Sequence, residues 1–154
     1  MTMTDPNATW RTYERMRVRL SARIGRELTR ASGLSEADLE VLTALSSAPQ
    51  QTVQALTLRC AMDWEKSRLS HQLKRMEQRG LIARGVCTED GRAAIVGLTE
   101  TGRCALAAAT HQYSATVRRW FADALTDQQL TQLDDISRAI LAGLGPTRHS
   151  EYGD

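Results

Sequence analysis

Two short apolar-periodic segments, 53–60 and 64–78, stand about three residues apart, and the second is strongly cationic. That spacing constrains the chain more than any other feature. A gap so short turns two helices sharply against each other, and the pair must bury one shared face. Ala55, Leu56 and Leu58 are the apolar residues of the first segment, with Thr52 placed to cap it. Leu69, Leu73 and Met76 recur at helical steps in the second. Cys60-Ala61-Met62 reads as the turn, Asp63 as the cap of the second helix and Gly80 as its end. Lys66, Arg68, Lys74, Arg75, Arg79 and Arg84 face only Glu65 and Glu77 over residues 64–85, so much of the positive charge of a chain whose net charge is +2 sits on one helix and the strand after it. A tight helix pair whose second member is basic is the pattern that reads the major groove of DNA.

The flanking segments complete a lobe. Ser35-Glu36-Ala37-Asp38 is a capping-box pattern that opens a helix carrying Leu39, Leu42 and Leu45 on one face. Residues 46–51, with Pro49, read as a loop. Leu81–Cys87 and Arg92–Leu98 read as two strands around Thr88-Glu89-Asp90-Gly91, where Asp-Gly supplies the positive φ that a hairpin turn requires. A two-stranded hairpin is too small to stand alone. Beside a helix-turn-helix it reads as a wing.

Outside 34–99 the chain is helical. The stripe Trp10, Tyr13, Leu20, Ile24, Leu28, Ala31 predicts a helix over 8–32 that Gly33 ends. Thr99 opens a second long helix, about 100–122, with Leu106, Tyr113, Val117, Trp120 and Phe121 on its buried side. Thr126-Asp127-Gln128-Gln129 is another capping box, and the helix it opens carries Leu130, Leu133, Ile136, Ile140 and Leu141. Gly143, Gly145 and Pro146 stop it, and residues 146–154 read as a loose tail. The expected architecture is one mainly α domain with a small β-hairpin, a winged helix-turn-helix set on long helices.

The cationic helix supplies the candidate contacts. Ser67, Arg68, Ser70, His71, Lys74 and Arg75 fall largely away from its apolar row. Arg68 can take a guanine edge with two hydrogen bonds, and Ser67, Ser70 or His71 can make single ones. Lys74 and Arg75, nearer the C-terminal end, suit phosphate. Trp64 is expected exposed near the helix start, against a sugar or a thymine methyl, with a half-buried ring as the alternative. Arg92 follows the Asp-Gly tip and can enter the minor groove, with Asp90 orienting it. A solvated basic face and an ordinary hairpin ion pair are the alternative readings of these two groups.

The composition excludes other classes. No apolar run approaches the ~18 residues that span a bilayer, so a cytoplasmic protein without a membrane partner is expected. Cys60, Cys87 and Cys104 fit no zinc spacing and read as free thiols. His71, His111 and His149 are scattered, and neither a metalloprotease helix nor a phosphate loop nor a nucleophile elbow occurs. No enzyme, metal or cofactor is expected.

Asp90-Gly91-Arg92, followed by Leu98-Thr99-Glu100-Thr101-Gly102, resembles the wing signature of the multiple-antibiotic-resistance regulator (MarR) family. The end of the cationic helix, Leu73-Lys74-Arg75-Met76-Glu77-Gln78-Arg79-Gly80-Leu81-Ile82, is similar to the same family's, and Trp64–His71 looks like one of its subgroups. The resemblance spans about residues 8–145. It implies a transcription regulator, usually a repressor, that binds a pseudo-palindromic operator on double-stranded DNA as a homodimer. Residues 8–33 and 100–145 would be dimerisation helices and 34–99 the DNA-binding lobe. It further implies release by a small aromatic effector bound between those parts, for which Trp10, Tyr13, Arg17 and Met62 are candidates; ordinary packing is the alternative. A cysteine-based branch of the family uses a first-helix thiol that this chain lacks, which leaves Cys60 as the redox alternative. A winged lobe that docks another protein rather than DNA is the other.

Overall fold

The computed structural model describes residues 5–86 and 93–145. In chain order these form α1 (Pro6–Ser32), α2 (Glu36–Ser47), β1 (Thr52–Gln54), α3 (Ala55–Met62), α4 (Lys66–Gln78), β2 (Ile82–Val86), β3 (Ala94–Leu98), α5 (Glu100–Trp120) and α6 (Asp127–Leu144). The winged helix-turn-helix is present, and the hairpin β2–β3 pairs Ile82 with Leu98 through Val86 with Ala94. The expected turn, wing-tip Asp90 and Arg92, Cys87 and the tail 146–154 lie outside the described residues.

Local chemistry builds most of these elements as the residues dictate. Ser35 and Asp38 exchange reciprocal hydrogen bonds at the start of α2, as do Thr126 and Gln129 at the start of α6. Gly33 closes α1 at φ 72, where a side chain on any L-residue would be strained. Asp5 caps α1 instead of a residue nearer position 8, because its carboxylate accepts from the Asn7 N–H and Pro6 fits the first turn.

Long-range packing changes the lobe in three places. Thr52 does not cap a helix. Residues 52–54 are extended and pair antiparallel with β3, Thr52 opposite Gly97 and Gln54 opposite Ile95, so the sheet has three strands in the order β1-β3-β2. Asp63 does not cap α4. It closes α3 in the left-handed conformation, φ 54, because α3 runs on to bury Met62, and the three-residue turn shifts to 63–65. Trp64 is not exposed: only 4% of its surface meets solvent. The turn directs its ring into the core formed by Leu28, Leu34, Leu42, Leu45, Leu58, Leu69, Met76 and Val96.

The long helices divide differently from the expected stripes. In α1 only Ile24 and Leu28 are buried, while Trp10 and Tyr13 stay exposed. In α5 the fully buried row is Gly102, Ala109 and Thr116, and the expected Leu106, Tyr113, Val117 and Trp120 are half-buried, as is Phe121 just past its end. Small residues form that row because α5 lies close against its neighbours. A Cβ on Gly102 would stand 2.0 Å from the Leu81 carbonyl oxygen. No residue of α6 is buried, and Ile136, Ile140, Leu141 and Leu144 show more than half their surface.

Candidate nucleic-acid interface

The inner row of α4 is Leu69, Gln72, Leu73 and Met76, all buried. At about 100° per residue, Ser67, His71 and Lys74 fall opposite that row, and all three are exposed. Ser70 borders this ridge on the side of the wing, where it lines a hollow of about 390 Å³ with Lys66, Arg84 and Ile95. The ridge is therefore polar, lightly cationic and clear of the chain's own core.

The six cations that the sequence groups together separate in three dimensions. Arg79 donates to the buried Asp38 carboxylate at 2.7 Å and to the Gly33 carbonyl at 2.8 Å. Arg84 donates to Glu77 at 2.8 Å, which holds that carboxyl below its ordinary range. Arg68 lies one residue before Leu69, on the flank of α4 away from the wing, and its guanidinium stacks 4.0 Å from the centre of the Trp64 ring. There it lines a hollow of about 650 Å³ with Glu40, Met62 and Tyr113. Glu40 is pushed up by partial burial, against the opposing pull of Arg68. Lys66 and Lys74 form no ion pair among the described residues. Arg75 is exposed, and among the described residues its guanidinium hydrogen-bonds only to Gln72.

Gln72 and Asp38 escape any reading by helix face, because a buried polar residue on an apolar row carries no periodic signal. The Gln72 amide donates to Asp38 Oδ1 at 2.7 Å while its carbonyl accepts from Arg75 Nη2 at 2.5 Å. Burial pushes the Asp38 carboxyl up, but hydrogen bonds from Ser35 and from Arg79, with the charge of Arg79, outweigh it and hold the group below the usual carboxylate range.

The four candidate effector residues do not meet within one chain. Tyr13 and Arg17 line a hollow of about 310 Å³ with Ile24, Phe121 and Leu133. Arg17 is already paired with Glu14 at 3.1 Å. Trp10 lies against Tyr13, ring centres 5.7 Å apart. Met62 lines the separate hollow beside Arg68. Cys60 and Cys104 are exposed free thiols. Among the described residues, no group of three His, Cys, Asp or Glu side chains is placed to hold a metal ion, and no helix is long and apolar enough to cross a membrane.

Comparison with known proteins agrees with this geometry. The family model for the MarR family matches residues 34–94, the lobe from α2 into the start of β3. The solved structure of AbsC, a MarR family transcriptional regulator from Streptomyces coelicolor, is 32% identical; the match covers 94% of this chain and 97% of that one, with a TM-score of 0.83. Sco3205, a MarR family regulator of the same organism solved in complex with DNA, is 27% identical over 96% of both chains, with a TM-score of 0.86. An uncharacterized helix-turn-helix regulator of Bacillus subtilis, YdgJ, is 24% identical over 115 residues, which are 75% of this chain and 69% of that protein. Similarity this extensive, running through the long helices as well as the lobe, shows that the chain belongs to the MarR family of transcriptional regulators.

Proposed function

We propose that the protein is a sequence-specific transcription regulator, a repressor without catalytic activity, that acts in the cytoplasm as a homodimer on a pseudo-palindromic operator. The observation that carries this reading is the outward ridge of α4. Ser67, His71 and Lys74, with Ser70 beside them, form an exposed polar edge on a helix anchored from behind by Leu69, Leu73 and Met76. A helix held this way enters the major groove, with Ser67, Ser70 and His71 at base edges and Lys74 and Arg75 at phosphates. Arg68, stacked on Trp64, serves the border of the groove, and Trp64 supports it from the core instead of touching DNA. Arg92, which follows the Asp-Gly pair of the wing in the sequence, is assigned the adjacent minor groove.

Dimerisation is supported by apolar surface that one chain leaves uncovered. Trp10 is 60% exposed, Leu141 66% and Leu144 74%. A two-fold pairing of residues 8–33 and 100–145 would cover both ends at once and set two copies of α4 about 34 Å apart, one turn of duplex. A small aromatic effector fits the same reading. The hollow beside Arg68 touches both α4 and α5, so occupancy there would bias the spacing of the two recognition helices.

Titrations on a selected operator and on scrambled duplex test the roles. Lys74→Ala should weaken both DNAs alike, whereas His71→Ala, which removes a single base contact, should weaken the operator by about 1 kcal/mol and the scrambled duplex much less. Equal losses on both DNAs for His71→Ala would remove α4 as the reading element.

A further inference from the structure

The capping box of α2 contains more chemistry than a cap requires. Asp38 needs only its bond from the Ser35 N–H, at 2.8 Å, to close that motif. It accepts two more hydrogen bonds, one from α4 and one from the residue that ends it: Gln72 Nε2 on Oδ1 and Arg79 Nη1 on Oδ2, each at 2.7 Å. Asp38 is 2% exposed and Gln72 3%. Neither has water as an alternative partner, and an unmade bond at either place leaves a buried polar atom unsatisfied.

The directions of these bonds are fixed by the groups themselves. An ionised carboxylate only accepts and a guanidinium only donates. The amide of Gln72 stands between them and can serve both in one orientation alone, NH2 toward Asp38 and carbonyl toward Arg75. Turning the amide over would set acceptor against acceptor at Asp38 and donor against donor at Arg75. A side chain rooted in α2 thereby fixes the direction of an exposed guanidinium on α4.

We propose that Asp38 is a positioning residue for DNA binding, holding Arg75 toward the phosphate backbone through the buried Gln72 amide. This rests on the reading that α4 lies in the major groove. The second arm of the same carboxylate, through Arg79 to the Gly33 carbonyl, ties the end of α4 to the corner between α1 and α2. A pre-set guanidinium loses less side-chain freedom when it meets a phosphate, and that phosphate contact is read out as salt dependence.

The test uses the full-length protein and a labelled duplex that the wild type selects from a random library, with affinity followed by anisotropy across a salt series. Each phosphate contact contributes about 0.9 to the slope of log affinity against log salt, roughly tenfold in affinity at low salt. Gln72→Met, which keeps length and apolar packing, should reduce the slope by nearly that amount. Arg75→Ala should do the same, and the double variant should lose no more than either. Ser35→Ala removes the hydroxyl half of the cap and keeps the bonds of Asp38 to the Ser35 N–H, Gln72 and Arg79; it should lower the melting temperature and leave the slope alone. Asp38→Leu, which removes the acceptor facing Gln72, repeats the measurement should Gln72→Met fail to give a folded helical protein by circular dichroism. Wild-type slopes in Gln72→Met or Asp38→Leu, or additive losses in the double variant, would overturn the relay while leaving the DNA reading intact. Failure of the wild type to select any duplex would overturn both.

Discussion

Gly102 offers a perturbation whose sign separates local propensity from tertiary contact. It sits in the first turn of α5, where glycine is a poor helix former, and alanine there would favour the helix by as much as about 1 kcal/mol. The structure opposes that gain. An added Cβ would lie 2.0 Å from the Leu81 oxygen and 3.0 Å from both the Leu81 carbon and a Leu98 methyl. Real contacts are not found under 3.0 Å, so α5 must retreat from Leu81, the residue before β2, by roughly an ångström. The retreat strains the bonds by which Thr99 is moored, its N–H to the Leu81 carbonyl at 3.3 Å and its hydroxyl to the Gly80 carbonyl at 2.6 Å. Two such bonds are worth about 1 kcal/mol each. Loosened packing around Leu81 and Ile82, 5% and 2% exposed, adds overpacking strain of about 1–3 kcal/mol. With the propensity gain set against these terms, Gly102→Ala should destabilise by about 2–4 kcal/mol. Urea unfolding at fixed protein concentration measures this, with Thr101→Ala, an exposed neighbour, as the control expected within ~0.5 kcal/mol of wild type. A Gly102→Ala midpoint at or above the wild-type value would refute the close approach of α5 to Leu81.

Two further predictions separate core from surface. Trp64→Ala should destabilise by about 3–5 kcal/mol, as loss of a buried aromatic does, while Trp64→Phe should be much milder; thermal unfolding reads both, and a stable Trp64→Ala would place the ring outside the core. Asp38 has a carboxyl held below its ordinary value, so its ionised form stabilises the fold fully above about pH 4 and loses that contribution as pH falls through the lower folded-state value. Asp38→Asn, which turns an NH2 toward the Ser35 N–H and Arg79 donors, should cost about 1–3 kcal/mol at neutral pH; its gap from wild type, followed by denaturant unfolding, should narrow below pH 4, and a gap that widened there would contradict the assigned shift.

What was legible in the sequence was what short-range chemistry settles. The capping boxes at Ser35 and Thr126 are contacts between residues three apart, and the same residues that form the motif satisfy it. The row Leu69, Leu73, Met76 is legible because a helix repeats its face every three or four residues. Leu98-Thr99-Glu100-Thr101-Gly102 marked the entry to α5. The exposed ridge of α4 followed from the buried row by simple opposition.

Folding across distance settled the rest. Thr52–Gln54 reads as the approach to a helix, and becomes a strand because β3, more than forty residues later, offers hydrogen bonds to it. Trp64 looks like a solvent-facing neighbour of a polar ridge; the left-handed turn at Asp63 sends it inward. Arg68, Arg79 and Arg84 look equivalent to Arg75 as charges, yet a Trp ring, Asp38 and Glu77 each take one of them. The link from Asp38 to Gln72 joins positions 34 residues apart. Periodicity states which face a residue occupies. It carries no information about what waits on that face, since partners distant in the chain meet only when the core closes.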